Sequence, residues 1–177
     1  MSYFEKITHK AYDIEATIPQ NGKFKYYIHC QSRNPDDYNV GFSLESKQLE
    51  DFINSMKLLK EKFIEWGETA KQNNVIDFEK KFDIKFKTVD TFFKYGTKWC
   101  FDKTKLAPYF RVTKEGEYIA VFSIGRMTAS SNEFMHHPGF AMAFISTEEI
   151  DEFISALDPS IVLEKGTNNS VTDELFK

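Results

Sequence analysis

Between residues 80 and 111 the chain sets eight Lys and one Arg against three Asp and threads them with rings. Lys85, Lys87, Lys94, Lys98, Lys103, Lys105 and Arg111 alternate there with Phe92, Phe93, Tyr95, Trp99 and Tyr109, and Lys23, Lys25 and Tyr27 repeat the combination upstream. Ammonium groups neutralise phosphates while exposed rings stack on unpaired bases, the two interactions a protein needs to hold single-stranded nucleic acid. A half-buried strand with a lysine-rich solvent face has the same composition. Exposure of the rings decides between the two.

Other chemistry is thinly represented. There is no Gly-rich phosphate loop, no GxSxG, no HExxH and no zinc-type Cys/His spacing. His136 and His137 are adjacent, which in an extended chain points them to opposite faces, so they are read as loop residues without a shared metal. Asp13 and Glu15 stand two apart in an alternating run, and on the outer face of a hairpin they are expected to pair with Lys23 and Lys25 across the strands.

The elements that must carry these residues are legible from periodicity. Tyr12 to Ile18 and Lys23 to Cys30 both alternate, and Pro19-Gln20-Asn21-Gly22 between them is a hairpin turn signal. A third strand, Asn39 to Leu44, leads into a helix from Ser46 to Ala70 with Leu49, Phe52, Ile53, Met56 and Phe63 on one face, Ser46 as its cap and Gly67 where it ends or frays. The order then recurs as Tyr109 to Thr113, a turn at Lys114–Glu117, Tyr118 to Ile124, a loop from Gly125 to Pro138, Phe140 to Ile145, and a helix from Thr147 to Leu157. That helix has Ser146 and Glu149 as a capping box and Asp158-Pro159 as its stop. Lys81 to Lys87, alternating Phe82, Ile84 and Phe86 with Lys85 and Lys87, is expected to open the second unit as a strand.

The expected fold class is therefore α+β: antiparallel sheets with two amphipathic helices in a tandem hairpin-strand-helix repeat. Its units are 1–75 and 76–165, followed by a flexible tail over 166–177. The tail ends in Asp173-Glu174-Leu175-Phe176, which resembles the acidic, Phe-bearing tips through which single-stranded DNA-binding proteins recruit partners.

With 41% hydrophobic and 28% charged residues, the 177-residue chain has the balance of a folded protein. Its apolar runs of about five residues are far short of a membrane span, no hydrophobic signal segment opens the sequence, and Cys30 and Cys100 form no CxxC pair. A cytoplasmic protein, monomeric or homodimeric and without a membrane partner, is expected. Net charge is −4, yet residues 80–111 stand at +6, which leaves −10 on the rest and fits one surface with an acidic partner.

Two family resemblances follow from particular stretches. Tyr12-Asp13-Ile14-Glu15, Asn21-Gly22-Lys23-Phe24-Lys25-Tyr26, then Val40 to Leu44 and an amphipathic helix together resemble a PUR repeat, and Whirly proteins share that general plan. The resemblance implies paired units whose sheets bind single-stranded DNA or RNA. Tyr12-Asp13-Ile14-Glu15-Ala16-Thr17 also resembles the first motif of the DnaQ-like 3′–5′ exonucleases, and Phe101-Asp102-Lys103 resembles their second. That likeness implies Asp13, Glu15 and Asp102 as holders of divalent metal in a phosphodiesterase.

No late His or Tyr followed by Asp supplies the exonuclease third motif, so no catalytic residue, metal or cofactor is assigned outside that alternative. The expected function is non-enzymatic binding of single-stranded nucleic acid. A protein-binding module, such as an inhibitor or assembly factor, is the rival class.

Overall fold

In the strand Lys25–Ser32 (β2) strict alternation sends Tyr26, Ile28, Cys30 and Ser32 to one buried face and Lys25, Tyr27, His29 and Gln31 to the other. That division organises the molecule. The computed structural model describes residues 12–17, 20–32, 37 and 39–161. The 166–177 tail with its acidic tip, and the first ten residues, lie outside them.

The strand Tyr12–Ala16 (β1) joins β2 through a turn in which Gln20 and Lys23 exchange both backbone hydrogen bonds at 2.9 Å. Asn21 (φ 50°) and Gly22 (φ 71°) adopt the two left-handed conformations that such a turn requires. Beyond the turn Thr17 pairs with Lys25, and the register sets Asp13 opposite His29 and Glu15 opposite Tyr27. The expected pairing of these acids with Lys23 and Lys25 is thereby corrected: the turn consumes Gln20 to Lys23, and Lys25 instead reaches Asp90 at 4.0 Å.

Val40–Glu45 (β3) is buried throughout except at Glu45 and runs into a single 3-10 turn, Ser46–Gln48, before the helix Leu49–Gln72 (α1). The cap position falls on Glu45 rather than Ser46, and the Glu45 N–H donates to Gln48 Oε1 at 2.9 Å. Leu49, Phe52, Met56, Leu59, Phe63 and Ala70 form the buried stripe of α1. Gly67 does not end this helix; it lies inside it, facing the Tyr118 ring.

The remaining strands are Phe78–Lys81 (β4), Thr88–Tyr95 (β5), Lys98–Lys105 (β6), Pro108–Val112 (β7), Tyr118–Ile124 (β8), Met127–Ala129 (β9), Asn132–His137 (β10) and Phe140–Phe144 (β11), followed by the helix Thr147–Ala156 (α2). They make one curled antiparallel sheet in the order β4-β7-β8-β11-β2-β3-β5-β6, with β1 also on β2, and a separate β9-β10 hairpin. The protein is α+β, with both helices packed on the inner face: Phe52 of α1 and Phe153 of α2 lie 6.2 Å apart, Phe52 contacts Phe42, and Phe153 contacts Phe144. β2 meets β11 through two register pairs, Phe140 with Ser32 and Ala141 with Gln31.

Two expectations fail here for physical reasons. Residues 82–87 are not a strand. They cross from β4 at one end of the sheet to β5 near the other, with Phe82 against Trp66, Phe86 against Phe52 and the Lys85 carbonyl accepting from Ser55 Oγ at 3.1 Å. Their alternation records an extended segment laid along α1, which produces the same period as a strand.

Residues 125–138, expected as a loop, contain the β9-β10 hairpin. Ser130 anchors it by donating from both N–H (2.8 Å) and Oγ (2.6 Å) to the Phe101 carbonyl on β6. His137 consequently lies on a strand, and its side chain is buried.

The Ser146 cap of α2 holds as expected, with Oγ accepting from the Glu149 N–H at 3.2 Å. No helix among the described residues is long and apolar enough to cross a membrane.

Candidate nucleic-acid interface

The outer face of the sheet is set by register. One row runs Asp13, His29, Gly41, Phe92, Phe101, and the next runs Glu15, Tyr27, Ser43, Asp90, Lys103. The central strand β3 contributes only Gly41 and Ser43, so the larger side chains on either side enclose a cleft. Gly41 has no room for more: a Cβ there would fall 1.9 Å from the Ile28 carbonyl oxygen.

The cleft, about 280 Å³, is lined by Glu15, Tyr27, His29, Phe92, Trp99 and Phe101. Phe92 is its hub, with ring centroids 5.7 Å from Tyr27, 5.1 Å from His29 and 5.8 Å from Trp99, all edge-on. In an edge-on pair the edge of one ring meets the face of the other, so a face of only one of the two rings is covered. Trp99 is 47% exposed and Phe101 53%, far outside the range of core rings such as Phe42 or Phe93 at 0%.

Cations stand over the same rings. Lys25 Nζ lies 5.5 Å from the Tyr27 centroid and Lys94 Nζ 5.9 Å from that of Trp99. Lys103 and Lys105 continue along the outer face of β6. On the opposite side, Glu15 Oε2 lies 3.3 Å from His29 Nε2.

Of the residues singled out from sequence, the fold therefore brings together Lys25, Tyr27, Lys94 and Trp99. Lys23 sits in the β1-β2 turn, while Tyr95 and Lys98 face one another at the tip of the β5-β6 hairpin with the opposite parity to Lys94 and Trp99. Lys85 and Lys87 lie on the crossover against α1, where Lys87 forms an ion pair with Asp51. Tyr109 and Arg111 face outward from β7, beside β4 and β8 and away from the cleft.

His29 and Phe101 belong to the cleft and were not singled out. The signal for His29 was present, since alternation in Lys23 to Cys30 puts it on the face of Tyr27. Phe101 requires the β5-β6 register, which the sequence does not declare.

The carboxylates of the exonuclease resemblance do not converge. Asp13 and Glu15 are on β1 and Asp102 is on β6, four strand spacings away, about 19 Å along the sheet. Asp102 accepts from the Thr128 N–H at 3.2 Å and from its own neighbour Lys103 N–H at 2.8 Å. Among the described residues no group of three His, Cys, Asp or Glu could hold a metal ion.

A second polar group has the residue types of a nucleophile with its base. His137 Nε2 lies 2.6 Å from Asp37 Oδ2 and 3.4 Å from Ser32 Oγ, and the Gly139 N–H donates to Nδ1 at 3.0 Å. With Nδ1 accepting, the ring proton sits on Nε2 and is directed to Asp37. Ser32 therefore faces a nitrogen that cannot take its proton, and the group ties β2 to β10 and the 139 turn. Burial pushes the Cys30 thiol well above its ordinary pKa, so it is an inert core group.

No protein-family model matches the chain, and no curated protein or solved structure is significantly similar to it.

Proposed function

We propose that the protein binds single-stranded nucleic acid on the outer face of its sheet, with Tyr27, Trp99 and Phe101 stacking on bases and Lys25, Lys94, Lys103 and Lys105 meeting phosphates. The observation that carries the reading is the open cleft of edge-packed rings beside lysines. Stacking needs exposed ring faces, and phosphate contact needs cations within a nucleotide's reach of them. In this reading the hairpin-strand-helix order at β1-β2-β3-α1 and at β7-β8-β11-α2 reflects two copies of a PUR- or Whirly-like unit, and free Cys30 and Cys100 suit a reducing, cytoplasmic setting.

The test is fluorescence anisotropy of short labelled single-stranded DNA and RNA across a salt series. Binding should weaken steeply with salt, and Trp99→Ala with Phe101→Ala should weaken it by at least about tenfold, since a base stacked on an aromatic ring contributes about 1–3 kcal/mol. Absence of binding at low salt would reject the proposal.

A protein partner is the second reading, favoured by Phe134 at 76% exposure on β10, whose hairpin is anchored to the strand bearing Phe101. It predicts that the anisotropy stays flat.

A further inference from the structure

We infer that Glu15 reads the edge of a bound base and favours bases carrying an exocyclic amino group over thymine and uracil. The inference rests on the nucleic-acid reading above. Charge is divided across the platform: β1 offers the exposed carboxylates Asp13 and Glu15, whereas the outer faces of β5 and β6 offer Lys94, Lys103 and Lys105. The lysine side also carries the carboxylate of Asp90 on β5, engaged by Lys25, and β3 carries that of Glu45, engaged by Lys47. A phosphodiester backbone is drawn to the lysine side and repelled from β1, so a base stacked on Tyr27, the ring directly across from Glu15 in the register, turns its edge toward β1.

Glu15 is the group that this edge meets. It lines the cleft, its side chain is 69% exposed, and His29 holds one of its oxygens at 3.3 Å. His29 is itself fixed edge-on to Phe92 at 5.1 Å, so the carboxylate is oriented before a ligand arrives. An ionised carboxylate only accepts hydrogen bonds. The cytosine N4 amine, and the amines of adenine and guanine, donate to it. Thymine and uracil carry a carbonyl oxygen where cytosine carries that amine, and their one donor on this edge, N3–H, is flanked by two carbonyl oxygens that repel a carboxylate.

Oligo(dC) and oligo(dT) of equal length isolate this term, because both are pyrimidines of the same charge. At neutral pH oligo(dC) should bind the wild-type protein about tenfold to a hundredfold more tightly, the equivalent of one hydrogen bond to a charged group. Glu15→Gln, whose amide both donates and accepts, should bring the two within about twofold of each other. The substitution lies on an exposed strand face, and circular dichroism verifies that the fold is kept. Equal affinities in the wild type, a preference for oligo(dT), or a preference unchanged in Glu15→Gln would overturn the role of Glu15 while leaving the interface standing. If neither oligomer binds, the underlying nucleic-acid reading has failed instead.

Discussion

The two tryptophans of the chain sit in surroundings built from the same parts and put to opposite ends. Trp66, on α1, stacks flat on Phe82 at 4.9 Å and 14°, meets Phe110 edge-on at 5.7 Å, and has Lys80 over its ring at 5.1 Å. Trp99, on β6, also has a Phe and a Lys, but Phe92 meets it edge-on at 5.8 Å and 70°, and half the residue stays exposed. A flat pair covers a face of both rings, whereas an edge-on pair covers a face of only one, and Trp99 keeps 47% of its surface exposed. Orientation, rather than composition, separates a ring that closes the core from one that can receive a ligand.

The comparison is broken most forcefully at Phe82. Phe82→Ala should cost about 3–5 kcal/mol in denaturant unfolding, as expected for emptying a buried aromatic site, and should shift Trp66 emission to the red. Trp99→Ala should cost under about 1 kcal/mol of stability, as a surface change does, yet weaken oligonucleotide binding by about tenfold. Equal losses of stability for the two variants would dissolve the distinction.

Tyr26 tests the inner face from another side. Its hydroxyl donates to the Leu157 and Asp158 carbonyls, both at 3.2 Å, so Tyr26→Phe should cost about 1 kcal/mol. Burial, and then Asp158, push the Tyr26 pKa up from 10.0 to about 12. The folded state thus keeps a proton that the unfolded chain releases, and the stabilisation is complete below pH 10 and lost as pH rises toward about 12. Unfolding measured across that window should slope downward in the wild type and less so in Tyr26→Phe.

The smallest expected effect is a gain. Gly67→Ala should stabilise α1 by about 0.5–1 kcal/mol, because the helix interior disfavours Gly, and a Cβ would meet Tyr118 at an ordinary 3.6 Å. A loss there would mean that the Trp66 end of the core is packed more tightly than this spacing implies.

Strands that alternate and helices that carry an apolar stripe were legible because their period is local: β2, β3, β7, β8, β11 and both helices fall within a few residues of where periodicity places them. The 82–87 crossover was misread because an extended chain alternates whether or not its backbone pairs. The β9-β10 hairpin was missed because Asn132–His137 is mostly exposed and carries little apolar pattern. For the cleft, Lys25, Tyr27, Lys94 and Trp99 could be nominated from residue type, but their convergence depends on β3 lying between β2 and β5, a long-range pairing with no local signature. The same limit explains Arg111 and Tyr109, sound as residue types and carried by β7 to another part of the sheet.

The seam between β2 and β11 has a kinetic consequence. Its two register pairs join residues more than a hundred positions apart, and they connect β11, with β8, β7 and β4 behind it, to the rest of the sheet. Contacts of that sequence separation carry a large loop-closure cost before they return any energy, which places the protein among slowly folding topologies. Until the seam forms, the edge of β11 is an exposed template for strands of other molecules, whereas β2 is flanked by β1 and β3 over most of its length. Refolding yield should therefore fall as protein concentration rises, even for variants whose native stability is unchanged.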